Sequence, residues 1–231
     1  MDCYVTPACA GIAIRHHLMA SPGIAHHPIL DPFAGPGFLL QTGAPIGRMT
    51  YAHDLDTRWE PELRKRVSPL NIRLGRDSLA MDWSVRGGER PHILSNNPYG
   101  VTVESIEKAR DHAYTHGRYA ALLLRVDFWH HKSRARLRPD IKLSLEWRPK
   151  FAYREERKRD KATGLMVPTG RLVLGSDMSA YAWGIWLPEP TGDTREIYVA
   201  KPDVPAELEA EHARLAMLAY RMGHEAQGAT P

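Results

Sequence analysis

The sequence predicts an α/β protein built around a doubly wound, mainly parallel sheet. Short apolar runs alternate with segments of helical period through the first half of the chain, the pattern of parallel strands joined by crossover helices. The residues just after those runs are repeatedly acids, glycines and amides, as expected where strand ends form a ligand-binding edge. At 231 residues, with 43% apolar and 25% charged side chains, the chain is long enough to bury a substantial core.

The first helix is expected over residues 7–20 (PACAGIAIRHHLMA), where Thr6 supplies a capping hydroxyl, Pro7 opens the first turn, and Ala10, Ile14 and Leu18 share a face. Residues 28–40 (PILDPFAGPGFLL) read as a strand, a glycine-containing loop and a helix. A second strand fits residues 48–56 (RMTYAHDLD), with a crossover helix behind it over 57–67 (TRWEPELRKRV). The stretch 70–79 (LNIRLGRDSL) gives a third strand with Asp77 just beyond it. A fourth, 91–95 (PHILS), runs straight into Asn96, Asn97, Pro98, Tyr99 and Gly100. Residues 102–117 read as a helix, 119–129 (YAALLLRVDFW) as a fully buried fifth strand, and the β-rich segment around 179–188 (SAYAWGIWLP) as two further strands that complete the sheet. The terminal stretch 205–226 is a helix with Leu208, Leu215, Leu218 and Met222 on one face, packing on the domain or on a twin subunit, and 227–231 is expected to fray.

The formal net charge of +4 permits a polyanionic partner without requiring one. Cys3 and Cys9 have no partner pair elsewhere to form a zinc site or a disulfide framework, so they read as small packing residues in a reducing cytoplasm. No run approaches the roughly 18 apolar residues of a membrane span, and the N-terminus lacks the basic-then-apolar pattern of a signal peptide. A cytoplasmic protein without membrane contact is expected. The histidine pairs at 16–17, 26–27 and 130–131 point in different directions and have no carboxylate or cysteine at ligand spacing, so no metal is expected.

The candidate chemistry lies at the strand ends: Asp31 to Gly37 after the first strand, Asp54 and Asp56 after the second, Asp77 after the third, Asn96 to Tyr99 after the fourth, Arg125 and Asp127 after the fifth. The Gly35-Pro36-Gly37 loop lets backbone approach a ligand closely, but Leu40 stands where a dinucleotide fingerprint has its third glycine. No phosphate loop ending in Lys-Ser/Thr is present, which argues against NAD and ATP. A carboxylate at the end of the second strand is suited to accept from both ribose hydroxyls. A nucleoside-bearing cofactor without a pyrophosphate fits this pattern.

The ordered set Thr6-Pro7, 31–37 (DPFAGPG), 54–56 (DLD), 77–79 (DSL) and 96–99 (NNPY) resembles the class I S-adenosylmethionine-dependent methyltransferases that modify exocyclic amino groups, above all the DNA adenine-N6 enzymes in the gamma motif order. The likeness spans most of residues 4–129, and 181–186 (YAWGIW) after a basic insertion is similar to compact phage-type enzymes of that group. It implies a Rossmann-like, seven-stranded sheet with an antiparallel edge strand, a single domain over 1–231 and a target-recognition region within about 130–180. It also implies S-adenosylmethionine as cofactor and DNA as partner, in a bacterial or phage-infected cell.

Position by position, Thr6 resembles the residue receiving the methionine carboxylate of the cofactor. The loop containing Asp31, Phe33, Gly35 and Gly37 resembles the one around its amino-acid part. Asp54 matches the ribose-binding acid, with Asp56 as a fallback, and Asp77 the acid for the cofactor's adenine amine, with Ser78 and Leu79 beside the ring. The resemblance makes Asn96, Asn97, Pro98 and Tyr99 the catalytic turn. An adenine amine is a poor nucleophile because its lone pair is delocalised into the ring. The Asn96 side-chain oxygen and the carbonyl of Asn97 would draw its hydrogens toward a tetrahedral geometry, while Tyr99 stacks on a base taken out of the duplex. The family pattern has proline where this chain has Asn97, so Asn97 taking the side-chain role is an alternative register.

Arg125, Lys132, Arg134, Arg136, Arg138, Arg148 and Lys150 are the candidate nucleic-acid contacts, and 153–164 (YREERKRDKATG) is expected to be a mobile loop that orders on DNA. The same turn chemistry serves RNA adenine and protein glutamine, and a non-catalytic nucleic-acid-binding protein with a degenerate fold is a rival of a different class. Monomer and homodimer both remain open.

Overall fold

A computed structural model of the chain describes residues 4–21, 24–161, 163–175 and 179–225. Cys3 and the tail 227–231 lie outside the described residues. Strands β1 (Ile29–Asp31), β2 (Thr50–Asp54), β3 (Ile72–Leu74), β4 (His92–Ser95) and β5 (Ala120–Arg125) form one half of a sheet. Strands β6 (Ile141–Leu145), β9 (Tyr181–Trp186) and β10 (Arg195–Val199) form the other. The order is β10-β6-β9-β5-β4-β1-β2-β3, and β9 runs antiparallel to both β5 and β6. The mainly parallel, doubly wound sheet is therefore present.

Two details depart from expectation. The sheet has eight strands, and its antiparallel strand β9 lies between β5 and β6, with β10 beyond β6, instead of closing the edge. The eighth strand was not legible because β10 is a short edge strand with no buried residue.

Alternation along the central strands divides the core between two faces. Ile29, Ala52, Leu94, Ala121, Leu123, Trp183 and Ile185 face helices α1 (Ala8–Met19), α2 (Phe38–Gly43) and α5 (Ala206–Glu225). Leu30, Tyr51, Ile93, Leu122 and Leu124 face α4 (Thr102–His116) through Ile106, Ala109 and Ala113. Coverage of both faces explains why the strands read as continuous apolar runs. Ala10, Ile14 and Leu18 are buried as their shared face predicts.

Helix α1 starts one residue later than its capping signal suggested. Pro7 is the extended cap residue (φ −62°, ψ 145°), and its carbonyl accepts from the amides of Ala10 and Gly11. The hydroxyl of Thr6 is thus not the cap.

The crossover helix expected over 57–67 is reduced to a 3-10 turn at Thr57–Trp59 and α3 (Glu60–Leu63). Pro61 lies in the first turn of α3 and has no amide to donate, which separates it from the turn before.

The expected mobile loop at 153–164 is instead part of an antiparallel hairpin, β7 (Ala152–Arg159) with β8 (Met166–Gly175). Its turn forms because Asp160 accepts from both the amide and hydroxyl of Thr163, and Gly164 takes the left-handed conformation (φ 72°) that returns the chain. Reading it as a loop weighted its charge over its pairing.

The terminal helix α5 packs on the sheet through buried Leu215, Ala219 and Met222, and His212 Nε2 donates to the Val5 carbonyl (3.1 Å). An ion cluster locks it to α3. Glu62, nearly buried, pairs with Lys65 (2.7 Å), Arg66 (3.1 Å) and Arg214 (2.5 Å), and hydrogen bonds led by Arg214 hold its carboxyl down to about 2.

Glu62→Gln is expected to cost about 2 kcal/mol at pH 7, read as a lower Cm in urea; this is below the full cost of breaking a buried pair because two of the cations are solvated. Because its folded value is depressed, Glu62 stabilises fully above its ordinary value of 4.5 and loses that contribution as pH falls toward about 2. The difference between the two proteins should shrink across that acid window.

Candidate active-site cleft

The strand order reverses between β1 and β4, and the carboxyl ends of these two strands are tied together. Ser95 Oγ, on the last residue of β4, donates to Asp31 Oδ1 at 2.5 Å, and the amide of Phe33 donates to the same oxygen at 3.0 Å. Asp31 is 1% exposed, and burial pushes its carboxyl up to about 7 despite those two donors.

From this point a cleft of about 320 Å³ opens along the strand ends. Phe33, Leu55, Leu79 and Val101 give it apolar walls, and Asp54, Asp77, Ser78 and Asn96 give it polar groups. A narrow chamber lined by Thr6, Asp31, Phe33, Gly35 and Asn96 adjoins it. Of the sequence-predicted residues, Phe33, Gly35, Asp54, Asp77, Ser78 and the turn from Asn96 to Pro98 therefore line the main cleft, and Thr6 and Asp31 line the chamber beside it.

Asp54 organises the floor. Its Oδ2 accepts from the Gly35 amide (2.7 Å) and its Oδ1 from the Asp56 amide (2.8 Å), which pins the glycine loop to the end of β2. Burial raises its pKa against the pull of those amides. Each oxygen keeps a second lone pair, so the carboxylate still offers acceptors to a ligand in the cleft.

Asp56 is committed elsewhere. The Arg58 guanidinium grips both its oxygens (2.6 to 3.1 Å) and holds its carboxyl below the ordinary range, while Arg58 also donates to the Met222 carbonyl of α5. Asp56 lines the cleft as well, but with both its oxygens already engaged. Gly37 does not line the cleft: it is the left-handed cap of α2 (φ 76°), where an added Cβ would sit 2.9 Å from Leu63.

The two asparagines are in different surroundings. Asn97 is 2% exposed, and its Nδ2 donates to the Pro98 carbonyl (3.2 Å) and to Thr102 Oγ1 (3.3 Å) at the start of α4. Asn96 borders both the cleft and the chamber, and its buried Oδ1 has no hydrogen-bond partner among the described residues. A buried acceptor without a donor is costly unless a ligand supplies one. Asn97 Oδ1 and Ser78 Oγ, on residues that line the same cleft, are two further such atoms; Asn96 alone of the three also borders the chamber.

Tyr99 borders a second, more open cavity of about 550 Å³ shared with Arg125, Asp127, Phe128 and Arg134. Its hydroxyl donates to that of Tyr181 (3.2 Å), and its ring meets Tyr4 at 5.5 Å. Of the predicted basic contacts, only Arg125 and Arg134 share this cavity. Arg136 pairs with Glu107, and with Arg138 it lines a separate cavity beside Asp140. Arg148 and Lys150 line a third with Trp147 and Lys201, and Lys132 is exposed. In that third cavity Trp147 donates to the buried Cys9 thiol (3.2 Å), whose pKa burial raises.

Sequence reasoning missed Tyr4, Trp59 and Lys108. Lys108 on α4 donates to the carbonyls of Ser78 (3.0 Å), Leu79 (2.7 Å) and Met81, and its ammonium lies 4.9 Å from the Trp83 ring. It fixes the loop that carries Asp77, and burial lowers its pKa. Nothing in a helix sequence marks which lysine will reach a distant loop.

No family profile matches the chain, and no curated protein matches it. Solved structures do. A type I restriction-modification methyltransferase subunit from Streptococcus thermophilus superposes with a TM-score of 0.56 at 14% identity, over 95% of this chain and 53% of that one. A protein from Listeria monocytogenes described as a class I S-adenosylmethionine-dependent methyltransferase gives 0.50 at 13% identity, over 94% and 72%. One from Pyrococcus horikoshii described as an RNA methyltransferase gives 0.51 at 11%, over 80% and 85%.

The fold is that of the class I methyltransferases. At these identities the likeness carries the fold alone. The cleft lies where an open α/β sheet binds ligands, beyond the carboxyl ends of the strands at the switch point, and there Asp31, Asp54, Asp77 and Asn96 converge.

Proposed function

We infer that the chain is an S-adenosylmethionine-dependent methyltransferase acting on the N6 amino group of adenine in DNA. The observation that carries this reading is the buried, partnerless Asn96 oxygen at the junction of cleft and chamber. The residues present fit the cofactor. Asp54 offers acceptors for ribose hydroxyls, Asp77 for an adenine amine, Leu55, Leu79 and Val101 apolar contact for a ring, and Thr6 and Asp31 polar groups for an amino-acid end. When bound, the cofactor supplies a methyl group on a sulfonium.

Asn96 and the carbonyl of Asn97 accept the two hydrogens of the target amine, which localises its lone pair for in-line attack. The nitrogen would gain the methyl as its carbon–sulfur bond breaks to leave a neutral thioether, and would then release one proton to solvent. Asn97 holds the turn through Thr102, so the side-chain role falls to Asn96 in this reading. Tyr99 stacks on the extruded base, with Arg125 and Arg134 beside it against phosphate.

Asp31 gives the cofactor affinity a pH dependence. A ligand ammonium in the chamber requires Asp31 ionised, yet its carboxyl is raised to about 7 in the free protein. Cofactor affinity by calorimetry should rise about tenfold per pH unit below 7 and level off above it, and Asp31→Asn should flatten the profile. A flat wild-type profile would remove Asp31 from the cofactor's ammonium.

The reading is tested by transfer of radiolabelled methyl from S-adenosylmethionine to unmethylated DNA, RNA and a protein extract in parallel, followed by nucleoside mass spectrometry. N6-methyladenine in DNA is expected. Label confined to RNA or protein would keep the chemistry and replace the substrate.

A further inference from the structure

The outer half of the β7–β8 hairpin is exposed to solvent. Residues 157–159 and 163–171 are exposed, while the root is held by buried Phe151 and half-buried Leu172, Val173 and Leu174. A two-stranded ribbon exposed on both faces is marginal in water, so an outer half of this length calls for a partner.

Charge says what kind. Between Ala152 and Gly175 the chain carries six cations and three acids. The acids are engaged within the ribbon itself: Glu155 accepts from the Gly170 amide, Glu156 from Thr169, and Asp160 caps the turn. Arg157, Lys161 and Arg171 are exposed and form no ion pair among the described residues. The surface presented outward is cationic.

Its tip is apolar. Leu165, Met166 and Val167 are 66%, 54% and 40% exposed, and cross-strand pairing sets Arg159 opposite Met166 and Lys158 opposite Val167. Successive side chains of β8 point to opposite faces, so each face of the tip carries an apolar side chain beside cations, which suits a ribbon set between the phosphate-edged walls of a groove.

The root connects to the candidate active site. Phe151 packs on Tyr181 (4.7 Å) and near Tyr4 (6.4 Å), and both tyrosines contact Tyr99. The arm therefore rises beside the residue that would stack on the target base. An eight-residue strand spans about 26 Å, and a major groove about 12 Å wide admits a two-stranded ribbon.

We propose that the β7–β8 hairpin is a groove-entering arm for double-stranded DNA, with Arg157, Lys161 and Arg171 on the phosphates and Leu165, Met166 and Val167 against base edges. This rests on the nucleic-acid reading above and extends it by assigning a duplex substrate and the element that grips it.

The test uses the full chain, a fluorescent mixed-sequence DNA duplex and the corresponding DNA and RNA single strands, with binding measured over a salt series and cofactor affinity measured alongside. The triple variant R157A/K161A/R171A should weaken duplex binding at least about tenfold and make the slope of log affinity against log salt shallower by about 2 to 3. The tip variant L165S/M166S should weaken duplex binding with the slope retained. Both should bind the cofactor as wild type does.

Wild-type duplex affinity and slope in both variants would overturn the arm while leaving the nucleic-acid reading intact. So would equal wild-type affinity for single strands, or a change of oligomeric state in the tip variant without loss of duplex binding. A wild-type chain that binds cofactor but no nucleic acid would overturn both.

Discussion

Asn96→Ala is expected to lower methyl-transfer turnover on the order of 10²- to 10³-fold while leaving cofactor affinity within about twofold, the magnitude typical of removing one preorganised polar group from a reacting centre. The side-chain oxygen is buried, borders cleft and chamber, and spends nothing on the fold, since no group in the described chain donates to it. Removing it also relieves an unsatisfied acceptor, so thermal stability should hold or rise slightly.

The neighbouring Asn97→Ala separates chemistry from architecture. It deletes the donors to Pro98 and Thr102 and should lower the melting temperature, with activity lost only to the extent that the turn loosens. If Asn97→Ala abolished turnover in a stable protein while Asn96→Ala did not, the roles of the two residues would be exchanged.

Asp54→Ala should damage both binding and folding. Two backbone amides, of Gly35 and Asp56, would lose their acceptor in a largely buried site, at a cost of about 2 to 4 kcal/mol for the pair. The glycine loop would detach from β2, and cofactor affinity should fall by about 10²-fold or more through lost acceptors and lost preorganisation. Calorimetry of cofactor binding together with thermal melts checks this. Asp54→Asn is the informative companion. It keeps an oxygen for one amide, so it should recover part of the stability but little of the affinity, because one amide oxygen cannot accept from both loops and ligand. Unchanged affinity in Asp54→Ala would move the ribose contact elsewhere.

What the sequence alone determined is what local order can specify. The alternation of apolar runs with helical segments fixed the class of sheet, because burial of both faces demands it. Asp31, Asp54, Asp77 and Asn96 each stand at or just beyond the end of a strand, and parallel strands must end on one edge, so their convergence followed from position in the chain alone.

The tertiary structure decided which of those groups are free to act, because that depends on partners far away in sequence. Asp56 looked equivalent to Asp54 until Arg58 was seen to occupy it, and Asn97 looked equivalent to Asn96 until Thr102 was seen beneath it. The bond between Ser95 and Asp31 and the reach of Lys108 to the loop at Ser78 link segments 64 and 30 residues apart, with no periodicity to announce them. The hairpin was hidden for the opposite reason. Its charges dominated the reading of composition, while the cross-strand register from Ala152 with Gly175 to Arg159 with Met166 that makes it a ribbon exists only once both strands are paired.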